Sequence, residues 1–350
     1  MSSTDREVQE CVFSAMGDEK MAFTKLLLVL AVLSLGKIVR RRAGAEDEDE
    51  DVIPFVKDSL YYFPGSVDKD GVLTIDYKSI GNTSLGFFAT KTISDFKAYG
   101  SGKVDDETFL VVPKDDLSKK EVAKTIDVLD VAKCNAFNEA ILTNLYGQLG
   151  YTVFAIEGAD IAPSITGLIK NSPTKITFKN LPDNLTDAEK EELKDFTITE
   201  SCATSSGFED LGLHRSGVTD AVCQPNTALP ADGAKCADDS KPKVYLKGYK
   251  SAEFGNADVK GLKELLIRFG PVQIYMNSQD LFDIAHTGLL VGWTKDNWLF
   301  ADYAGGVLIV TEPAQTEGKF FGYVFINSFS VVRVALGLLA AVLVLPALLL

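Results

Sequence analysis

Ala132-Lys133-Cys134-Asn135-Ala136-Phe137-Asn138 opens a run in which Ala136, Phe137, Ala140, Ile141, Leu145 and Leu149 recur at helical spacing. Residues three and four apart share one face of a helix, so the run predicts a helix from Asn135 to about Leu149 with one apolar stripe against a core. Cys134 then stands at its N-terminus, where the helix dipole and the neighbouring Lys133 both favour a thiolate. Far downstream His286, one of only two histidines, opens His-Thr-Gly-Leu-Leu-Val-Gly-Trp, and Asp302 follows sixteen residues later. A thiol, an imidazole and a group that orients the imidazole are the parts of an activated nucleophile, and they usually come from distant stretches of chain. The competing reading makes Cys134 a small buried apolar residue and His286 a satisfied core histidine.

The segments around these residues are extended. Val272 to Met276, Leu289 to Trp293 and Trp298 to Ala301 are apolar and read as strands carrying His286 and Asp302, and Gly71 to Tyr77 alternates as a strand does. Thr186-Asp187-Ala188-Glu189 is a capping box that starts a helix. His214, in a polar context, reads as a surface residue.

With 46% hydrophobic and 24% charged residues the 350-residue chain is ordinary for a globular protein of one or two domains. A net charge of -14 argues against nucleic-acid binding, which needs basic stripes to meet phosphate. Both ends are apolar. Met21 to Lys25 followed by Leu26 to Gly36 resembles a secretory signal or signal anchor, and Val334 to Leu350 is an uninterrupted apolar tail near the lower limit for spanning a bilayer. The acidic run Glu46 to Asp51 reads as a solvated linker. These features predict the secretory pathway, with membrane association in a lysosome-like vesicle or at the cell surface. Asn82-Thr83-Ser84 and Asn184-Leu185-Thr186 match glycosylation acceptors and fit export. Of five cysteines, Cys11 precedes the first apolar segment; Cys202, Cys223 and Cys236 are the disulfide candidates in an exported protein. Neither histidine lies at ligand spacing from a cysteine pair, so no metal and no cofactor is expected.

Cys-Asn-Ala-Phe-Asn-Glu-Ala resembles the Cys-Trp-Ala-Phe-Ser that opens the central helix of papain-like cysteine peptidases. Gly270-Pro271-Val272 resembles their Gly-Pro-Val segment. Asn297-Trp298-Leu299-Phe300-Ala301-Asp302-Tyr303-Ala304-Gly305 resembles Tyr-Trp-Leu-Val-Lys-Asn-Ser-Trp-Gly, which puts Asp302 where that family has its catalytic asparagine. Gly322-Tyr323-Val324-Phe325-Ile326 resembles the closing strand, and Thr83 to Ala98 resembles part of the inhibitory prosegment. The resemblance, over residues 80 to 328, implies an α+β fold of two lobes, one with a central helix and the other with a barrel-like antiparallel sheet. It implies peptide-bond hydrolysis of peptide or protein substrates by a Cys134 thiolate, with His286 as base and acid and Asp302 as the orienting group. It also places Gly207 and Phe208 on a wall of the substrate groove and Ala285 beside the histidine, and it suggests a short Cys223 to Cys236 bridge, with Cys202 to Cys236 as the alternative.

The departures bear on activity. Val128 stands where the family has the glutamine that donates to the oxyanion, and losing one such donor costs about a hundred- to a thousand-fold in rate. Asn135 and Ala304 replace two tryptophans, and Val131 replaces a structural cysteine. The expected organisation is an N-terminal tail over 1–52, a prosegment-like region over 53–110, a peptidase domain over 111–330 and an apolar tail over 331–350. Two other readings stand beside the peptidase: a catalytically inactive relative that binds peptides at a membrane, and a surface protein whose fold serves adhesion or display.

Overall fold

The computed structural model describes residues 56–76, 89–181, 183, 185–203, 207–276 and 286–327. Both apolar ends, the acidic run, Thr83 to Phe88, Asn82, Asn184 and Ala285 lie outside them, as does the His286 side chain. Among the described residues no helix is long and apolar enough to cross a membrane. Chain contacts define two compact units. The larger comprises the described parts of Pro54–Ile75, Phe88–Thr177 and Phe196–Leu350, and the smaller includes Asp76 and the described parts of Phe178–Asp195.

Twelve strands are described. In chain order they are β1 Ser59–Tyr62, β2 Val72–Asp76, β3 Ala89–Thr92, β4 Phe109–Leu110, β5 Lys175–Lys179, β6 Phe196–Thr197, β7 Tyr249–Ala257, β8 Val272–Met276, β9 His286–Trp293, β10 Trp298–Ala304, β11 Val307–Thr311 and β12 Phe320–Asn327. An antiparallel sheet runs in the order β11-β10-β9-β8-β12-β7-β1-β3, and a small sheet runs β2-β5-β6. β8 pairs with the first half of β9, and β4 continues its line by pairing Phe109 with Trp293 and Leu110 with Gly292. Of the described strands of the prosegment-like region, β1, β3 and β4 are built into the large sheet, β1 pairing with both β3 and β7, while β2 belongs to the small sheet. The outer strands of the large sheet, β11 and β3, do not pair with each other among the described residues. The β10–β11 hairpin turns through Gly305 and Gly306 at φ 59 and 77, values that glycine adopts without a side-chain clash.

The helices of the larger unit follow local rules. We label α1 Lys114–Leu117, α2 Val128–Val131, α3 Asn135–Leu142, α4 Leu145–Glu157, α5 Ile165–Asn171, α6 Asp187–Glu192, α7 Glu209–Ser216 and α8 Val259–Phe269, of which α6 belongs to the smaller unit. α8 shows why: Asp258 caps it by accepting the Gly261 amide at 2.8 Å, Leu262, Leu265, Leu266 and Phe269 form its buried stripe, and Gly270 at φ 82 ends it before Pro271. α6 begins directly after Thr186, as the capping box predicts.

The helix expected from Asn135 to Leu149 is instead two helices. Thr143 ends α3 with its hydroxyl on the Glu139 carbonyl, and Asn144 sits at φ 60, a left-handed conformation that asparagine tolerates better than most residues. The Gln273 side chain donates to the freed Thr143 carbonyl at 2.7 Å. Apolar periodicity continues across the break because both helices pack into the same core, which is why the sequence reads as one helix. α4 is buried on nearly every side. At Gly147 an added Cβ would lie 2.8 Å from the Tyr303 ring and 2.9 Å from Leu289, so a glycine is what lets α4 approach the sheet. One continuous apolar core joins α3, α4, α5, α7 and α8 to the sheet.

Candidate functional site

The site is built where the start of α3 meets the segment at 201–203. Asp127 caps α2 through the Leu129 amide at 2.8 Å, and the turn after α2 delivers Cys134 to the N-cap position of α3 in an extended conformation, φ −143 and ψ 97. Cys134 is fully buried and its Sγ is bonded to Cys202. The two stretches are laced together further: the Ala136 amide donates to the Cys202 carbonyl at 3.0 Å, and Asn135 Nδ2 donates to the Ala203 carbonyl at 3.1 Å and to Glu139 at 2.9 Å. A disulfide sulfur carries no thiolate, so the free nucleophile expected at Cys134 is absent from this form of the protein. The expected neighbour charge is spent as well, because Lys133 is exposed and its ammonium pairs with Asp130 at 2.7 Å.

The second disulfide joins Cys223 to Cys236, which rules out the Cys202 to Cys236 alternative. The first bond, Cys134 to Cys202, was not among the expected pairings.

Asp302 sits on β10 beside β9, the strand that His286 opens opposite Met276. Its Oδ1 accepts the Leu289 amide at 2.6 Å and the Asn144 amide nitrogen at 3.4 Å. Burial raises this carboxyl above the usual range, with the Leu289 amide pulling the other way. The Asp302 carboxylate thus links the α3–α4 break to the histidine strand, a role that no local pattern around Asn144 announces. Asp302→Asn keeps an acceptor for Leu289 and removes a buried charge, so at pH 7 it is expected to leave stability equal or raised. Asp302→Ala removes the acceptor of the Leu289 amide and is expected to cost about 1–3 kcal/mol in urea unfolding.

The remaining candidates are dispersed. Val128 begins α2 with 68% of its surface exposed and has no donor to offer. Gly207 is exposed at φ 74. Phe208 is buried at the N-terminus of α7, and its carbonyl accepts the Ser172 hydroxyl at 3.3 Å. His214, expected on the surface, is half-buried on α7, and burial followed by the nearby Lys250 lowers its pKa to about 4. Among the described residues no group of three or more His, Cys, Asp or Glu side chains gathers as metal ligands do.

Sequence reasoning missed a polar patch on the large sheet. Glu253 of β7 lies between Tyr61 and Tyr323 on the neighbouring strands, and Tyr323 packs edge-on to Tyr275 with centroids 5.5 Å apart. Burial pushes the Glu253 carboxyl up to about 7. A carboxyl whose folded pKa exceeds its unfolded value of 4.5 supports folding fully below that value and loses the contribution as pH rises through about 7. Glu253 is half-buried, so solvent trims the effect to on the order of 2 kcal/mol. Glu253→Gln is expected to flatten the fall in stability between pH 4.5 and 8, as read by urea melts across that range.

No family model matches the chain, and no curated protein matches it. Among solved structures it is similar to proCathepsin B S9 from Trypanosoma congolense, at 15% identity over 71% of this chain and 92% of that one, with a TM-score of 0.35.

Proposed function

We propose that the chain is a distant papain-like relative that binds extended peptide or protein segments and does not cleave them. The observation that carries this reading is the sulfur bond itself: the residue at the position of the nucleophile is fully buried and oxidised. The sequence resemblance supports the peptide-binding part, and exposed Val128, with no donor for an oxyanion, supports the lack of turnover. Two disulfides suit an oxidising compartment of the secretory pathway, and attachment to a membrane rests on the apolar ends alone.

A second reading, a thiol peptidase stored in oxidised form with His286 as base and Asp302 as orienting group, is favoured by the place of Asp302 next to the histidine strand. One experiment separates the two. The purified chain is treated with a peptidyl epoxide that alkylates thiolates, with and without a reductant, and Cys134 is followed by mass while a fluorogenic peptide library reports turnover. The binding reading expects no adduct without reductant and no turnover in either arm; turnover that appears on reduction selects the stored peptidase.

A further inference from the structure

The two sulfurs of the Cys134–Cys202 bond differ in their surroundings. Cys134 is fully buried beneath the start of α3, whereas Cys202 is half-buried and is followed by exposed Ala203. Thiol–disulfide exchange needs the attacking thiolate to approach one sulfur along the S–S axis, so access decides which sulfur is attacked, and the better-stabilised thiolate leaves faster. Access favours attack at Cys202, the more exposed of the two residues, and the sulfur it would expel sits at the N-cap of the eight-residue α3, where the positive end of the helix offsets part of the cost of a buried anion.

We infer that small thiols open this bond at Cys202, which makes Cys202 a site of S-thiolation and releases Cys134 as the free thiolate. A monothiol RS⁻ attacks Cys202 Sγ, the RS–Sγ bond forms as the Sγ–Sγ bond breaks, and the bonding pair departs on Cys134 Sγ. A second RS⁻ takes the cap from Cys202 as RSSR, so two thiols are oxidised for each protein disulfide reduced. Meanwhile Cys134 is uncovered before Cys202 is free. The inference rests on the reading above only in naming Cys134 a nucleophile; its chemistry stands on the difference in access.

The full chain is exposed to a small excess of glutathione, quenched in acid and digested, and the mixed disulfides are located by mass. The expected result is a glutathione adduct on Cys202 at least about tenfold more abundant than on Cys134, in line with exchange governed by access. Equal adducts, an excess on Cys134, or a bond that yields no adduct while Cys223–Cys236 opens would overturn it. The readout needs neither peptide binding nor hydrolysis, so failure here leaves the functional reading standing, and failure of that reading leaves this one.

Discussion

Replacing Cys134 by Ala is expected to destabilise the protein by roughly 4 kcal/mol, while replacing Cys223 by Ala is expected to cost roughly 3 kcal/mol. The difference comes from the chain each bond closes: 68 residues separate Cys134 from Cys202 and 13 separate Cys223 from Cys236. A longer closed loop removes more freedom from the unfolded chain, so the bond at the candidate site outweighs the short one. Urea unfolding of the two single variants checks this, and the reverse order would mean that the segment around Cys202 is ordered without its sulfur. The result also bears on function. A bond worth this much is a support of the fold as well as a cover on a thiol, so reductive release of Cys134 comes with a looser start to α3.

Trp293→Ala is expected to cost about 3–5 kcal/mol, the range for emptying a fully buried aromatic site. Trp293 has no exposed surface, stacks on Phe109 with centroids 5.0 Å apart, and donates from Nε1 to the Asp106 carbonyl at 2.9 Å. It therefore fastens the 106–110 segment to the sheet from both sides of its ring, with β4 adding backbone pairing at Phe109 and Leu110. Beyond the loss in unfolding free energy, limited proteolysis is expected to cut between residues 100 and 112 in the variant and not in the parent. Global loss of stability with no new cut would show that β4 pairing alone holds the segment.

Several strands were legible. Val272–Met276, the Leu289 to Trp293 stretch, Trp298 onward and Val72–Asp76 all show the period or the apolar run that a sheet imposes, and that signal is local. The helix break was not, because a left-handed Asn144 leaves no mark on apolar spacing and its support, Gln273, lies 130 residues away. The pairing of Cys134 with Cys202 was hidden for a similar reason: cysteine positions restrict connectivity but do not determine it, and the resemblance to a peptidase motif directed attention to reactivity. The placement of β1, β3 and β4 in the large sheet depends on partners far along the chain, as does the burial that raises Glu253. His214 shows the same lesson from the other side, since its polar neighbours in sequence suggested the surface while α7 half-buries it.

The sulfur bond between residues 134 and 202 also encloses α4, α5 and the whole 178–195 stretch within one covalent ring. A protease that nicks the backbone anywhere inside that ring leaves the two pieces tethered, so the cut molecule keeps its mass and migrates as a single species until a reductant is supplied. Damage accumulated in an oxidising setting would then stay silent and be revealed all at once on transfer to a reducing one.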